Sequence, residues 1–368
     1  MPVLMTLAPA SRHTLQGHPE NAGRFSRMGR LEELPFYSQL TWLPVTPATP
    51  AEVSRTHAPA MLESLREASQ AGPVEIDPAP TYLVPGSWEA ALDAAGAALT
   101  LTRAIRHTPS PLTETPPRPG GESPATRGFA LIRPPGHHAG RARPMGFCLL
   151  NNLAIAVNEA LSQGLSRAAI IDFDGHHGNG TEELFWKDER VGYFSSHQEG
   201  AYPGSGSIEE APHARQRIIH CPLPPRAGDQ ALSRMAGDLL HPWLERFQPE
   251  MLFISAGFDG HWADPLLSLG FTSQGFFELA RELIAMADRW CQGRILFILE
   301  GGYSPPILAE CVAATLAALA SLDQPAWPGQ PSPYPEPDIR SRLARVNAYH
   351  RLSPPSSLDA ANGPAKAG

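Results

Sequence analysis

The sequence predicts a single large α/β domain built on a parallel sheet that helices cover on both faces. The chain has 368 residues, 42% of them hydrophobic and 18% charged, which is enough to bury a sizeable core. From residue 128 onward, short apolar runs alternate with longer helical patterns, and this alternation is typical of parallel sheets. The runs are apolar nearly throughout, as expected of strands that are buried on both faces.

The predicted elements follow in a regular order along the chain. Two helices, at residues 51–70 and 87–107, come before the first clear strand. The predicted strands are 128–133, 168–173, 191–196, 217–221, 251–256 and 294–300. The helices predicted between and after them are 149–163, 229–246, 274–290 and 305–321.

Two proline-rich segments bear on the domain organisation, since proline is excluded from helix interiors and from central strands. TPSPLTETPPRPGGESP (108–124) predicts a surface loop inserted in the domain, and DQPAWPGQPSPYPEP (323–337) predicts a wrap or tail. We therefore expect one domain over residues 1–322, followed by a proline-rich C-terminal wrap and disordered tail over residues 323–368.

Composition excludes several classes of protein. A net charge of −8 gives no reason to expect a nucleic-acid partner. The four cysteines are scattered and form no CxxC pair, which argues against a cysteine zinc site or a disulfide framework. The N-terminus has no signal-like pattern, and the apolar segment 307–322 is too short to span a bilayer. We expect a cytoplasmic protein without membrane contact, and nothing in the sequence selects an oligomeric state.

Histidine, aspartate and tyrosine side chains follow four of the predicted strands. In parallel sheets ligands bind beyond the carboxyl ends of the strands, where these side chains fall. The motifs are GHH (136–138), DFDGHH (172–177), FDGHWADP (258–265) and EGGY (300–303). Packing alone does not explain four such strand ends, so we expect a functional site there.

Asp174 and His176 are the first candidates for metal ligands. They lie two residues apart in an extended segment, so their side chains point the same way and can reach one ion. Asp264, after a neighbouring strand, supplies a third ligand in this interpretation. Two carboxylates and one imidazole suit Zn²⁺, Fe²⁺ or Mn²⁺. The alternative is that Asp174 caps a helix and that His176 is a satisfied core histidine.

His137 and His138 are candidates for a proton-transfer pair, because adjacent histidines on a rigid turn are poor joint ligands for one ion. A neutral histidine can take a proton from water and return it to a leaving amine. Asp172 and Asn179 are available as partners; a carboxylate favours the imidazolium form, and an amide leaves its histidine closer to neutral. The hydroxyl of Tyr303, after two glycines, could donate a hydrogen bond to an oxyanion. The alternatives are an exposed histidine turn and a packing tyrosine.

Five motifs carry a resemblance to a known family. RPPGHHA, GFC, IDFDGHHGNGT, SAGFD…ADPL and LEGGY, in that order, resemble the histone deacetylase family, and most closely its bacterial deacetylase-like amidohydrolases and acetylpolyamine amidohydrolases. GHPENAGR (17–24) is similar to an N-terminal element of the family, and the resemblance spans about residues 13–310. It implies the arginase/deacetylase fold, a single α/β domain with an eight-stranded parallel sheet.

The resemblance also implies a role for each candidate residue. The implied zinc ligands are Asp174, His176 and Asp264. The implied catalytic residues are His137 with Asp172 behind it, His138 with Asn179 behind it, and Tyr303, which would polarise the substrate carbonyl.

Further roles are implied around this centre. Phe147 and Tyr202, with Gly146 beside them, would form the walls of a narrow acyl-lysine tunnel, and Arg24 would line an exit channel for acetate. His177 matches a family histidine that is not a ligand. A structural K⁺ or Na⁺ site is implied at Asp172, Asp174, His176, Ser195 and Ser196.

The implied activity is zinc-dependent hydrolysis of N-acetyl amides on lysine side chains, with release of acetate. Acetylated polyamines are alternative substrates, weakly favoured by the net charge of −8. The segment LLSLGF after Asp264 is apolar, however, where some polyamine-specialised relatives carry a carboxylate. Two other interpretations are a catalytically weak acyl-lysine binder and an arginase-like two-manganese hydrolase. The presence of Tyr303 argues against the first, and the tandem histidines argue against the second.

Overall fold

The computed structural model describes residues 2–107, 126–327 and 329–352, in which strands alternate with helices. The strands are β1 (Val3–Ala8), β2 (Leu40–Trp42), β3 (Val74–Glu75), β4 (Tyr82–Leu83), β5 (Arg127–Ile132), β6 (Ala168–Asp172), β7 (Val191–Gln198), β8 (Ile218–Leu223), β9 (Met251–Ala256) and β10 (Ile295–Leu299). The α-helices are α1 (Pro50–Val53), α2 (Pro59–Ala71), α3 (Ser87–His107), α4 (Asn152–Ser162), α5 (Asn179–Phe185), α6 (Asp229–Met235), α7 (His241–Phe247), α8 (Ser273–Trp290), α9 (Pro305–Leu319) and α10 (Arg340–His350).

Eight of the strands form one sheet in the order β2-β1-β5-β10-β9-β6-β7-β8. Every neighbouring pair in this sheet is parallel, while β3 and β4 form a separate antiparallel pair. Parallel neighbours require crossover connections, which the helices between the strands supply. The predicted fold, a single α/β domain with an eight-stranded parallel sheet, is confirmed.

The sheet is buried on both faces, as its apolar strands predict. Alternate residues of β9 show this: Phe253 packs with α3 and α4, whereas Ile254 packs with α8 and α9 on the opposite face. The central strands therefore lie between two apolar layers, and polar side chains can reach water only beyond the strand ends. The four cysteines are buried and free.

Two predicted helices are not regular α-helices throughout, and in each case a proline lies next to the irregularity. The helix predicted at 51–70 forms as α1 and α2, because Pro59 lacks an amide hydrogen and begins a new helix after the extended residue Ala58. The helix predicted at 229–246 forms as α6 and α7, joined by a π-helical turn at Ala236–Leu240, with Pro242 in the first turn of α7. Strands β1 and β2 were not among the predicted strands.

The C-terminal segment contains a helix that is not among the predicted ones. The part up to residue 352 is described, and it contains the helix α10, whose Leu343 and Val346 are buried in the main core. The predicted proline-rich loop at 108–124 and the end of the tail lie outside the described residues. No helix in the described part of the chain is both long enough and apolar enough to cross a membrane.

Candidate active site

The candidate site lies at the carboxyl edge of the four central strands, β5, β10, β9 and β6, which are neighbours in the sheet. The histidine turn follows β5, the DFDGHH motif includes the end of β6, and the FDGHWADP and EGGY motifs follow β9 and β10. Because parallel strands end at the same edge, residues more than a hundred positions apart meet there.

A buried cluster of two carboxylates and one imidazole forms at this edge from Asp174, His176 and Asp259. Their ligand atoms all lie within 4.8 Å of one another. His176 Nδ1 lies 2.8 Å from Asp259 Oδ2 and 3.3 Å from Asp174 Oδ1. The backbone fixes both carboxylates, since Gly301 N donates to Asp174 Oδ2 at 2.8 Å and Gly175 N donates to Asp259 Oδ1 at 2.8 Å.

The charges of this cluster are strongly coupled. Burial lowers the pKa of His176, but the carboxylates of Asp259 and Asp174 outweigh burial and raise it to about 10. Burial raises the pKa of Asp174, yet His137 and His176 hold it below its usual range. Burial, together with the Asp174 charge, raises the pKa of Asp259. Two aspartates crowded in a buried space favour a cation between them, which suits a metal site.

Asp264 is not one of the three residues of this cluster, and its place as the third ligand stays a prediction. The two Asp264 carboxylate oxygens accept backbone hydrogen bonds instead, from Tyr303 N at 2.6 Å and from Leu266 N at 3.1 Å. Burial raises the pKa of Asp264 to about 7. Asp259 is only three residues beyond β9, whereas Asp264 follows a further turn of chain.

The tandem histidines have the two different partners that the sequence analysis proposed. His137 Nδ1 lies 3.2 Å from Asp172 Oδ2, and His138 Nδ1 lies 2.8 Å from Asn179 Oδ1. The ring centroids of the two histidines are 4.0 Å apart, and the His138 ring is 6.0 Å from that of His176. The pair is therefore held beside the carboxylate cluster.

The two partners give the histidines opposite charge states. Burial lowers the pKa of His137, but the carboxylates of Asp174 and Asp172 outweigh it and raise the pKa to about 10. Burial and the nearby imidazoles of His137 and His176 lower the pKa of His138 well below its usual value. At neutral pH one ring is an imidazolium and the other is neutral, an arrangement that can hold and accept protons.

Tyr303 and Arg24 stand next to each other at the end of β10. The Arg24 guanidinium lies over the Tyr303 ring, 4.8 Å from its centroid, and donates to Gly302 O at 2.8 Å and Glu300 O at 2.6 Å. Arg24 is buried and also pairs with Glu20. Burial raises the pKa of Tyr303 well above its usual value, so its hydroxyl keeps its proton and can donate it in a hydrogen bond.

Aromatic rings from two loops surround the histidine pair. The Tyr202 ring contacts His138 edge-on with centroids 5.1 Å apart, and the Phe147 ring contacts Tyr303 edge-on at 5.7 Å. Gly146 has φ of +57°, and a Cβ there would lie 2.5 Å from the His138 ring and 2.8 Å from that of Tyr202. Only glycine fits at this position.

Several residues of the implied monovalent cation site lie close together. Asp172 and Ser195 are paired in register on β6 and β7, and both are fully buried. Ser195 Oγ lies 2.9 Å from His197 Nδ1, whereas Ser196 Oγ is buried without a hydrogen-bond partner among the described residues.

Glu300 is a further residue of this site that the sequence analysis left out. Its Oε2 accepts hydrogen bonds from the backbone of the histidine turn, from Gly136 N at 2.6 Å and His137 N at 3.1 Å. The signal was available, because Glu300 is the charged residue of LEGGY at the end of β10. Its carboxyl group holds the turn that carries both histidines.

The comparisons with known proteins agree with this architecture. The histone deacetylase domain model matches residues 18–319. Histone deacetylase 14, chloroplastic, of Arabidopsis thaliana is 33% identical, over 95% of this chain and 85% of that protein. A probable deacetylase of Archaeoglobus fulgidus is 35% identical, over 83% and 82%. A histone deacetylase-like amidohydrolase of Pseudomonas aeruginosa is 31% identical, over 83% and 76%.

The crystal structure of the HDA15 HD domain superposes with a TM-score of 0.80 at 26% identity, covering 95% of this chain and 94% of that one. The fold and the site define the class: an α/β hydrolytic domain whose polar groups gather at the carboxyl edge of a parallel sheet. Within that class, the chain belongs to the histone deacetylase family.

Proposed function

We propose that this protein is a zinc-dependent deacetylase that hydrolyses N-acetyl amides of lysine side chains and releases acetate. The observation that carries the proposal is the pair of differently partnered histidines, His137 on Asp172 and His138 on Asn179, held beside the Asp174–His176–Asp259 cluster. Family membership supports the deacetylase class, and the side chains at the strand ends support the reaction chemistry.

The metal would be held by Asp174, His176 and Asp264, and Asp259 is a second candidate for the third ligand because its Oδ2 lies 2.8 Å from His176 Nδ1. The cluster of Asp174, His176 and Asp259 fits a divalent ion, because its ligand atoms converge within 4.8 Å and two oxygens with one imidazole nitrogen are a donor set that zinc accepts. A zinc ion bound there would supply Lewis-acid polarisation of the amide carbonyl and make water more acidic. Fe²⁺ and Mn²⁺ suit the same donors.

His138 would act as the general base and then as the general acid. Its Nδ1 is engaged by Asn179 Oδ1, which favours a proton on Nδ1 and leaves Nε2 with a free lone pair. Its pKa is well below the usual value, so the ring is neutral at pH 7. Nε2 takes a proton from the attacking water as the new carbon–oxygen bond forms, and gives it to the amine nitrogen as the carbon–nitrogen bond breaks.

His137 and Tyr303 would stabilise the charge that develops on the carbonyl oxygen. His137 is held as an imidazolium by Asp172, with a pKa raised to about 10, and contributes a fixed positive charge. The Tyr303 hydroxyl remains protonated and can donate a hydrogen bond to the oxyanion. Arg24 holds the Tyr303 ring in place through its contact with the ring face.

The surrounding residues are proposed to serve substrate binding and product release. Phe147 and Tyr202, with Gly146 between them and His138, would line a tunnel for the acylated side chain. The buried Arg24 would guide the acetate ion along an inner channel. A monovalent cation near Asp172, Asp174, His176, Ser195 and Ser196 is also proposed.

Acetylated polyamines are a second candidate substrate class. The observation that favours them is a cavity of about 1320 Å³ beside the tunnel wall, which Tyr202 and Asn179 both line. Its described lining carries five carboxylates against three basic side chains and could receive a cationic chain. The carboxylates are Glu182, Glu183, Asp188, Glu189 and Glu210.

Acetate release tests the proposal directly. Protein freed of metal by a chelator is given an acetyl-lysine peptide and acetylputrescine in parallel, and then Zn²⁺, Fe²⁺ or Mn²⁺ in turn. We expect no release without metal and release from the peptide once Zn²⁺ is added. Faster release from acetylputrescine would select the polyamine class, and no release from either substrate with any metal would contradict deacetylation.

The role of Tyr303 gives a sharper test within the same assay. Tyr303→Phe removes only the hydroxyl, so turnover should fall by about 10²–10³-fold if that hydroxyl stabilises the oxyanion. Tyr334→Phe, at an exposed position of the C-terminal segment, is the matched control and should leave turnover unchanged. An unaltered rate in Tyr303→Phe would remove the proposed role.

A further inference from the structure

A second group of ligand-type side chains lies next to the candidate active site without being part of it. His177 directly follows His176, but its ring contacts Glu182 of α5, whose carboxylate also contacts His220 of β8. His177 Nε2 lies 3.0 Å from Glu182 Oε2, and His220 Nε2 lies 3.2 Å from Glu182 Oε1. The ligand atoms of this histidine–glutamate cluster lie within 4.8 Å of one another.

The cluster is buried, and its polar atoms are not satisfied. The exposed fraction is 1% for His177, 4% for Glu182 and 0% for His220. Despite the short distances, His177 Nε2, Glu182 Oε1 and both ring nitrogens of His220 make no hydrogen bond with the described part of the chain. Their N–H directions therefore do not point at the carboxylate. Buried polar atoms without partners are costly and rare, so this convergence needs a physical explanation.

The surroundings prepare His177 to bind a ligand through Nε2. His177 Nδ1 lies 2.8 Å from Ser205 Oγ, a contact that can fix the tautomer and the ring orientation. The rings of His177 and His220 are perpendicular, at 90°, with centroids 4.9 Å apart, in an edge-to-face arrangement.

His197 is the nearest other imidazole, and both of its ring nitrogens are engaged elsewhere. Nδ1 lies 2.9 Å from Ser195 Oγ, and Nε2 lies 3.0 Å from Gly206 O. Its ring packs 4.9 Å from that of His177 and closes one side of the cluster. On another side, Glu182 and Ser205 line the cavity of about 1320 Å³, which offers a path for an ion and for a water ligand.

We propose that His177, Glu182 and His220 bind a second divalent transition-metal ion of the Zn²⁺ type, with water from the cavity as the fourth ligand. Two imidazoles and one carboxylate are a common donor set for zinc. Zinc bonds of about 2.1 Å in a tetrahedron separate ligand atoms by about 3.4 Å, close to the observed 3.0 and 3.2 Å. The ion links the loop after β6, the helix α5 and the strand β8.

The second ion has a structural role in this proposal, because it braces the loop that carries His176 and the helix that begins at Asn179. It shares no ligand with the Asp174–His176–Asp259 cluster. A count of two ions per chain would therefore not indicate an arginase-like pair of metals bridged at one site, and only variants can assign the ions.

Metal counting in five proteins tests the assignment. Full-length protein is stripped with a chelator, loaded with Zn²⁺, desalted and analysed by mass spectrometry of the metal. We expect two ions per chain in the unmodified protein, one in His220→Asn, one in Asp174→Asn and none in the double variant. The exposed His213→Asn is the control and should keep two ions. One ion in the unmodified protein that His220→Asn retains would overturn the second site.

A second measurement keeps the test decisive if His220→Asn does not fold. In Asp174→Asn protein, whose first site is disabled, rising Zn²⁺ concentration should raise the melting temperature, because the ion binds only the folded chain. Adding Glu182→Gln to that protein should abolish the rise. An equal rise in both proteins would show that Zn²⁺ binds elsewhere, and no rise in either would show that the cluster is a buried ion-pair network.

Discussion

At the scale of single residues, the site depends on how two adjacent histidines acquire opposite charge. Both rings are buried, which alone would lower both pKa values. The carboxylates of Asp174 and Asp172 reverse this effect for His137, whereas burial and the imidazoles of His137 and His176 keep His138 neutral despite its contact with Asn179. A fixed positive charge and a base therefore lie side by side.

The pKa of His138 sets the acid limb of the pH–rate profile. His138 acts as a base only when it is neutral, so activity should fall as the pH drops through this pKa, which burial and the imidazoles of His137 and His176 hold well below its usual value. Asn179→Asp places a carboxylate on Nδ1 and should raise this pKa. Activity would then appear only at higher pH. The measurement is the pH dependence of kcat/KM for acetate release.

Asp172→Asn is the matched control for this change, because it also exchanges an acid and an amide behind a histidine. It should lower turnover by removing the partner that keeps His137 charged, without moving the acid limb to higher pH. If Asn179→Asp left the acid limb where it stands in the unmodified protein, His138 would not be the base.

Asp259 and Asp264 are the two candidates for the third metal ligand. Loss of the ligand should weaken Zn²⁺ binding at the first site by more than about 100-fold, since loss of an outer partner alone costs roughly 10–100-fold. We expect the larger loss in Asp264→Asn and a smaller one in Asp259→Asn, whose carboxylate lies beside His176. Titration against a chromophoric chelator, in protein that also carries His220→Asn, measures one site alone. A larger loss in Asp259→Asn would make Asp259 the third ligand.

Local spacing determined which site residues could be predicted. Asp174 and His176 were accessible because they are two apart in an extended segment, and Asp172 and Asn179 lie in the same motif. The third ligand comes from another strand, and choosing between Asp259 and Asp264 requires the path of the FDGHWADP loop. That path turns Asp264 toward the backbone of Tyr303 and leaves Asp259 beside His176, which no one-dimensional pattern shows.

At the scale of elements, the loops after the strands are packed so closely that glycine is needed beside the ligands. A Cβ on Gly257, directly after β9, would lie 1.9 Å from Asp174 Oδ2, and one on Gly301, after β10, would lie 2.6 Å from the same oxygen and from Asp259 Oδ2. The Asp174 carboxylate is therefore clamped between two backbone segments. These glycines let both backbone segments approach the Asp174 carboxylate closely, and this close packing fixes the position of the ligand.

Gly257→Ala should therefore impair metal binding and acetate release more than it impairs folding. The added methyl group displaces the Asp174 carboxylate, so we expect a large loss of Zn²⁺ affinity and of acetate release while the circular dichroism spectrum is retained. Gly237→Ala is the control, because a Cβ there meets nothing within 4 Å and lies in a helical segment. Unchanged Zn²⁺ binding in Gly257→Ala would mean that Asp174 is not clamped as described.

The type of an element, helix or strand, can be predicted where an apolar run is long, but the residues at which the element begins and ends cannot always be. The strand β9 was predicted at its observed bounds, because a buried parallel strand is apolar throughout. The helix at 229–246 was not predicted to break, since its apolar periodicity continues across the π-helical turn before Pro242. The strand β2 has only three residues and no pattern of its own; its place at the edge depends on pairing with β1.

At the scale of the whole molecule, the C-terminal segment ties distant elements together. Trp262, in the loop that carries the site aspartates, donates through Nε1 to Gln330 O at 3.3 Å. Asn347 of α10 donates to Asp238 O at 3.1 Å, in the π-helical turn. The proline content of residues 323–337 predicts an irregular wrap. The helix α10 that follows has too weak an apolar stripe to be predicted from the sequence, and it packs against the rest of the domain.

Glu336 is the most specific of these ties, because its carboxylate caps a helix more than a hundred residues earlier. Its Oε1 accepts from Gly228 N at 2.9 Å and Ala231 N at 2.6 Å, at the start of α6, where a negative charge also meets the positive end of the helix dipole.

Glu336→Ala should lower the free energy of unfolding by about 1–2 kcal/mol, the range for loss of a helix cap. Acetate release at 25 °C should stay unchanged, because the capped helix lies outside the site. Chemical denaturation of the full chain measures the loss of stability. The control is Glu278→Ala, at an exposed position of α8, which should change stability by less than about 0.5 kcal/mol. If both variants unfolded at the same denaturant concentration as the unmodified protein, the C-terminal segment would rest on the domain without stabilising it.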